Sequence, residues 1–303
     1  AREVLDLDEV PGDVVLVGGG YIGLELAGAL HKLGAQVHVV EMLDRLLPGV
    51  ETTLAGALQR QLKKAGYDLR LGHQVLADTG TAVEAKGPEG TTEVPADLIV
   101  VAVGRRPLTG SLGLGSVGLE TGPTGLIEVD AERRTAVPNI FAIGDIVPGP
   151  ALAHKAMAEA VVAADVAAGL PASFAPAAIP SVVYTDPEIA SVGLTAEQAT
   201  AQGIDHGQVK FPLGANARSV TLGGGSGFAL LVFERPSNLV LGLHLLGPGV
   251  GELVGVGALA IEMGARVDDL AHTIFPHPSV SEVIGELGEL ALGLPLHTPP
   301  PRR

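Results

Sequence analysis

Apolar residues fall into short unbroken runs separated by amphipathic stretches, the pattern of buried parallel strands alternating with helices. A polar lead-in, residues 1–12, ends at Pro11-Gly12, and Val14–Val17 is the first such run. Apolar positions then recur at helical spacing from Tyr21 to Leu33, and Gly34 is placed to stop that helix. Val37–Glu41 predicts a second strand. Glu51–Gly66 predicts a second amphipathic helix, with Lys63 and Lys64 in its last turn, where cations suit the helix dipole. From Asp68 to Glu93 short runs broken by Gly and Pro predict small strands. Ala96–Val103 predicts another buried strand, stopped by Gly104-Arg105-Arg106-Pro107.

Residues 108–125 are Gly-rich and irregular, which suits a connection between domains. Leu126–Asp130 and Asn139–Ile143 predict strands, and residues 151–168 an Ala-rich helix. Residues 171–180 predict a second linker. Beyond it, strands are expected near Val182–Tyr184, Gln208–Phe211, Phe228–Phe233 and Leu239–Leu245, and helices near Gly251–Met263 and Ser279–Leu292. The closing HTPPPRR cannot continue a helix and is expected to be disordered. There is no internal repeat.

Composition narrows the classes. At 303 residues the chain has material for two or three domains. Its 47% hydrophobic and 17% charged residues exclude a disordered chain. A net charge of -15 argues against nucleic acid and anionic membranes as partners. No apolar run approaches the ~20 residues of a membrane span. With no cysteine, disulfide scaffolds and thiolate metal sites are excluded. The opening AREVLDLDEVPGD is neither a Met start nor a signal peptide. The expectation is a cytoplasmic protein whose chain begins inside a longer one.

Gly18, Gly20 and Gly23 form a G-x-G-x-x-G motif that follows a strand, opens a helix and precedes an acidic residue, Glu41, at the next strand end. That context is what a dinucleotide site requires. Gly18 permits the tight turn, Gly20 lets backbone approach a pyrophosphate, and Gly23 lets helix and strand pack closely. The helix N-terminus offers N–H groups and partial positive charge to phosphates. Glu41 is placed to accept from ribose hydroxyls and would repel a 2′-phosphate, so NAD is favoured over NADP. A Gly-rich turn that binds nothing is the competing reading.

Further stretches carry a resemblance: VGRRP (103–107), FAIGDIVPGPALAHKA (141–156), YTDPEIASVGLT (184–195), KFPLGANAR (210–218) and HPSVSE (277–282). With GGGYIGLE (18–25) they make the chain, from about residue 5 to 292, similar to the last two-thirds of the flavoprotein disulfide reductases, and among them the dihydrolipoamide dehydrogenases. The resemblance implies an α/β fold: a Rossmann-type NAD-binding domain over 1–107, a returning part of an FAD domain over 108–172 and an α+β interface (dimerisation) domain over 173–295, followed by a tail at 296–303. It adds Tyr21, Ile22, Glu25 and Gly104 to the cofactor-binding residues. Tyr21 matches a gate over the nicotinamide pocket, although a simple apolar contact would also explain it. Glu25 matches a glutamate that pairs with a lysine beside the redox cysteines; that lysine is missing here, which leaves Glu25 an unpaired or solvated carboxylate. Asp145 would bond the FAD ribityl chain, and the helix starting at Leu152–Ala153 would aim its N-terminus at the flavin. His277 would be the acid–base group, oriented by Glu282, and His277–Pro278 would be cis. Family members often carry a second His where this chain has Phe275. His244, on a predicted strand, is expected to be a packed interior residue.

The resemblance also exposes what is missing. The family's electron relay needs a cysteine pair and a first FAD glycine motif, and this chain has neither. The expectation is an N-terminally truncated dihydrolipoamide dehydrogenase, inactive alone. Its implied partners are a second copy, the missing N-terminal FAD/disulfide domain and a 2-oxo acid dehydrogenase complex. Two alternatives stay open: a non-catalytic NAD-binding or dimerising protein, and a cysteine-free NADH-dependent flavoprotein.

Overall fold

A computed structural model describes residues 2–223 and 225–299. The chain divides into two compact units, one of Ala1–Gly104 with Pro180–Arg303 and one of Arg105–Ile179. The first unit opens with β1 (Asp13–Val17), α1 (Tyr21–Lys32), β2 (Gln36–Glu41), α2 (Thr52–Lys64), β3 (Asp68–Leu71), β4 (Gln74–Asp78), β5 (Ala82–Gly87), β6 (Gly90–Pro95) and β7 (Leu98–Val101). β3-β2-β1-β7 form a parallel sheet and β4-β5-β6 an antiparallel one. Because strand side chains alternate, Val14, Leu16, Val37 and Val39 pack with Leu24, Leu30, Leu54 and Leu58 of the helices. Val15 and Val40 point the other way, onto Val83, Ala85 and Val94 of the small sheet. Both faces of the parallel sheet are thus covered, which explains its unbroken apolar runs. Each fully buried Val or Leu contributes roughly 1.5–3 kcal/mol.

A buried polar residue in the middle of this sheet is His38 of β2, 7% exposed. Its Nε2 lies 2.9 Å from Asp13 Oδ1 of β1 and its Nδ1 3.0 Å from Asp68 Oδ2 of β3. Arg70 Nε donates to the same Asp68 oxygen at 2.9 Å. Burial alone would raise the Asp68 carboxyl, but the bonds from His38 and Arg70 prevail and hold it below its ordinary value.

The second unit carries α3 (Ala153–Ala167), 3-10 turns at Leu114–Val117 and Gly144–Ile146, and a small core of Ile127, Ala142 and Val147. The strands expected at Leu126–Asp130 and Asn139–Ile143 do not form. Asp130 Oδ1 accepts the N–H groups of Glu132 and Arg134, which folds the chain through a left-handed Arg133, φ 66°. The flanking segments meet at a single bridge, Arg134 with Phe141. Extended backbone without a neighbouring ladder is not a strand.

The chain then returns to the first unit with β8 (Ser181–Val183), β9 (Glu188–Gly193), α4 (Ala196–Ala201), β10 (His206–Pro212), α5 (Ala217–Thr221), β11 (Phe228–Glu234), β12 (Val240–Gly247), α6 (Val254–Glu262), α7 (Val267–His272) and α8 (Glu282–Ala291). β10-β11-β12-β9-β8 form an antiparallel sheet. α6 packs on β9 and β12, and α8 on β10 and β11. β9, α4, α5 and α7 were not anticipated. α4 has a legible signal, the capping box of Thr195 and Gln198. Residues 297–299 of the tail are described, with His297 Nδ1 bonded to Glu286 of α8; residues 300–303 lie outside the described residues.

α2 also touches β12, and His244 of β12 is buried there at 1% exposure. Its Nε2 donates to the Leu194 carbonyl at 3.0 Å, and its Nδ1 is buried without a partner. Burial holds this imidazole below its ordinary 6.5, against the opposing pull of the Leu194 carbonyl, Glu51 and Glu197. The unfolded chain therefore takes up this proton at higher pH than the fold does. The stability it contributes is present above about pH 6.5 and is lost as pH falls, by up to about 1.4 kcal/mol per unit. Urea denaturation should show the midpoint falling between about pH 7 and about pH 5. In His244→Gln, which keeps a donor for Leu194, the fall should be shallower; an equally steep fall would assign the acid sensitivity to other groups.

Candidate functional site

The glycine turn between β1 and α1 is built by close approach. Gly18 has φ 107°, and a Cβ there would lie 2.6 Å from the Ala102 carbonyl oxygen. A Cβ on Gly23 would lie 2.4 Å from the Gly18 carbonyl oxygen. Neither position tolerates a side chain. A Cβ on Gly20 would meet nothing within 4 Å, so the backbone there faces open space. Gly20 is also the N-cap of α1, and no side chain caps that helix. Open space before an uncapped helix N-terminus fits a dinucleotide pyrophosphate. Tyr21, on the first turn, is 36% exposed, and Ile22 beside it is half-buried.

Glu41 ends β2 and is 9% exposed. Its Oε2 accepts the Gly19 N–H at 2.6 Å and its Oε1 the Leu43 N–H at 2.7 Å. The residue picked out for ribose recognition therefore also holds the glycine turn. Each oxygen keeps a second lone pair for a ribose hydroxyl. The turn is stitched further by Gly18 N–H to the Val40 carbonyl and Leu47 N–H to the Gly19 carbonyl.

Glu25 of α1 is not left solvated. Its Oε1 accepts the Tyr184 N–H at 2.9 Å, which corrects the expectation of an unpaired carboxylate. Tyr184 follows β8, so the bond joins a helix of the parallel sheet to the antiparallel half of the unit. Gly104, just beyond β7 of the same sheet, has φ 131°.

His277 and Glu282 come together at the start of α8. His277 Nδ1 lies 2.8 Å from Glu282 Oε1, and Glu282 Oε2 accepts the Ser279 N–H at 2.7 Å. A carboxylate only accepts, so Nδ1 carries the proton and Nε2 is the nitrogen left to take one. The His277 side chain is 72% exposed, and the His277–Pro278 bond is cis. Burial would raise Glu282, but the Ser279 N–H and His277 outweigh it and hold the carboxyl below its ordinary range. Phe275 packs toward Gly285 of α8, where an added Cβ would lie 3.2 Å from its ring.

In the second unit Asp145 lies in the Gly144–Ile146 turn with its carboxylate half-exposed. Its Oδ2 accepts from Arg105 NH1 at 2.8 Å, and Arg105 NH2 donates to the Ala151 carbonyl. α3 begins at Ala153 after Leu152, with no side-chain cap. A half-exposed carboxylate and an uncapped helix N-terminus fit part of a flavin's polar groups. Sequence reasoning singled out Gly104 and passed over Arg105, whose role depends on a partner 40 residues away. Among the described residues no group of three His, Cys, Asp or Glu is placed to hold a metal ion. No helix there is long and apolar enough to cross a membrane.

Residues 1–160 match the family model for pyridine nucleotide-disulphide oxidoreductases, and residues 179–287 match the model for their dimerisation domain. The chain belongs to the pyridine nucleotide-disulphide oxidoreductases. Within that family it is 45% identical to a dihydrolipoyl dehydrogenase of Halobacterium salinarum over 98% of this chain and 64% of the relative. A dihydrolipoyl dehydrogenase of Geobacillus stearothermophilus is 44% identical over 97% of this chain and 63% of the relative. Among solved structures, LpdA from Mycobacterium tuberculosis superposes with a TM-score of 0.86 at 29% identity, covering 95% of this chain and 63% of that one. The HOCl-induced flavoprotein disulfide reductase RclA from Escherichia coli also gives 0.86, at 27% identity over 95% of this chain and 66% of its own. The chain thus spans a little under two thirds of the curated relatives' length.

The double grip of Glu41 generates a prediction independent of ligand. Glu41→Ala leaves the Gly19 and Leu43 N–H groups without their acceptor and should destabilise the fold by about 1–3 kcal/mol. Glu41→Gln restores one acceptor but turns an amide NH₂ toward the other N–H, so it should recover only part of the loss. Urea denaturation reads both, and a fully stable Glu41→Gln would mean that one of the two bonds carries no weight.

Proposed function

We propose that this chain is the NAD-binding, flavin-contacting and dimer-forming part of a cytoplasmic oxidoreductase of the dihydrolipoyl dehydrogenase type. The observation that carries this reading is the His277–Glu282 pair at 2.8 Å, an imidazole with Nδ1 fixed and its side chain 72% exposed. Such a pair takes a proton from a thiol and stabilises the resulting imidazolium. The glycine turn with Glu41 would hold NAD, with Ile22 on the same first helical turn and Tyr21 gating the nicotinamide pocket. Asp145 and the α3 N-terminus at Leu152–Ala153 would hold part of FAD, which when bound supplies two-electron transfer between a dithiol and nicotinamide. The half of the first unit from β8 onward would form a two-fold homodimer, in which His277 serves the reaction centre of the other copy. A 2-oxo acid dehydrogenase complex is the partner assembly that this reading implies.

The cysteine count of zero supports a second reading, in which the 303-residue chain acts alone as a non-catalytic NAD-binding dimer. A dihydrolipoamide thiol must exchange with an enzyme disulfide through a thiolate, and no residue here provides sulfur of that kind. The isolated chain should therefore form no NADH from dihydrolipoamide, with or without added FAD. Joined to the N-terminal third of a relative, it should turn yellow and become active, and His277→Gln should then lower kcat by ~10²–10⁴-fold. Activity in the isolated chain would overturn the proposal, as would a joined protein indifferent to His277.

Nucleotide choice and assembly are tested separately. Calorimetric titration should show NADH binding more tightly than NADPH, because a 2′-phosphate would meet the Glu41 carboxylate. Equal or tighter NADPH binding would defeat that argument. Light scattering at tens of micromolar should show a dimer; monomer alone would count against the assembly.

A further inference from the structure

We propose that Glu159, Lys155 and Arg133 form a clamp that positions the Asp145 turn, and that this clamp sets how tightly the second unit holds an FAD ribityl chain. The inference rests on the reading above that Asp145 faces the flavin. Lys155 and Glu159 lie on one face of α3, 3% and 0% exposed. Lys155 Nζ and Arg133 NH1 each lie 3.0 Å from Glu159 Oε1. The other carboxylate oxygen, Oε2, accepts the Gly144 N–H at 2.8 Å, and Lys155 Nζ donates to the Gly144 carbonyl at 3.2 Å. Both backbone groups of Gly144 are therefore held by side chains of α3. Gly144 is left-handed, φ 78°, and its next residue is Asp145.

Stability alone does not explain this arrangement. Charges taken out of water are expensive, and a well-packed apolar pair of similar volume is often as stable or more so. An apolar pair, however, cannot bond both the N–H and the C=O of one turn residue. The clamp fixes Asp145 relative to the start of the same helix, and Leu152–Ala153 is the other element assigned to the flavin. Arg105 spans the same two elements, bonding Asp145 and the Ala151 carbonyl. The Arg133 guanidinium is itself seated 4.9 Å from the Phe174 ring centroid. Lys155 has its room because residue 149 is glycine: a Cβ there would lie 2.9 Å from Lys155 Cε.

The test uses Lys155→Met with Glu159→Met, which removes the Lys155–Glu159 pair and keeps side-chain bulk, leaving Arg133 seated over Phe174. Amide exchange at Gly144 is read on the 303-residue chain. FAD and NADH dissociation constants are read on the same chain joined to a relative's N-terminal third, by flavin fluorescence and calorimetry. The double variant should stay folded, exchange the Gly144 amide at least ~10-fold faster, and bind FAD at least ~10-fold more weakly with NADH affinity unchanged; a bonded turn amide exchanges only through local opening. A merely structural role would move both affinities or neither. If Asp145→Asn weakens FAD and the double variant does not, the clamp is overturned while the flavin reading stands. If neither changes FAD affinity, the flavin reading falls, and the clamp with it. Should the double variant lose its fold, Glu159→Gln decides: unchanged Gly144 exchange and unchanged FAD affinity would overturn the clamp.

Discussion

Several turns of this chain, three of them carrying candidate site residues, hang on a carboxylate accepting a backbone N–H. Glu41 takes Gly19 and Leu43, Glu282 takes Ser279, Glu159 takes Gly144, and Glu25 takes Tyr184. Turn amides have no ladder or helical partner, so something else must satisfy them. Charge-assisted bonds of this kind are roughly twice as strong as neutral ones, and a chain of net charge -15 has carboxylates to supply them. The grip falls within a residue or two of the chemistry. Gly19 lies between the two glycines nearest the proposed pyrophosphate, Gly144 precedes Asp145, and Ser279 follows the His277–Pro278 bond. Loosening a carboxylate would therefore blur a site without touching its reacting group.

The parallel sheet separates structural charge from ligand chemistry. The N-terminal ends of its strands carry the His38 bracket, in which Asp13 opens β1 and Asp68 opens β3. The C-terminal ends carry the glycine turn and Glu41. Ligands of open α/β sheets bind at the carboxyl ends of strands, where helix N-termini converge. Placing a buried imidazole and its carboxylates at the opposite ends keeps negative charge away from the proposed phosphate position. It also ties three strands of different sequence origin into one register.

The nucleotide half was the most legible from sequence. Its first strand is buried on both faces and is continuously apolar over Val14–Val17, its helices end at glycines, and the Gly18–Gly20–Gly23 spacing states its own steric reasons. His277 and Glu282 were picked out through the resemblance carried by HPSVSE, and the fold brings the two side chains together. What could not be read depends on distance along the chain. The partners Glu25 and Tyr184 are 159 residues apart, and Gly144 and Glu159 are 15 apart; no periodicity announces such pairs. Leu126–Asp130 and Asn139–Ile143 misled for a related reason: strand propensity describes one segment, whereas a strand needs a neighbour. α7 is six residues long, and its cap pairs Arg266 with Asp269, outside the usual Ser or Thr pattern.

The exposure of His277 bears on where its proposed chemistry happens. An imidazole held only on its Nδ1 side and 72% open to solvent adds little to the packing of its own chain. It is well suited to meet a reactant carried by another one. Glu282 keeps the ring oriented without help from that reactant, because its second oxygen is anchored on Ser279. The proposed acid–base group is thus oriented before any sulfur arrives, and this chain contains no cysteine sulfur to meet it. Under the proposed reading, proton and electron chemistry are contributed by different parts of the assembly, so the dimer face becomes part of the reaction site and not a support beside it.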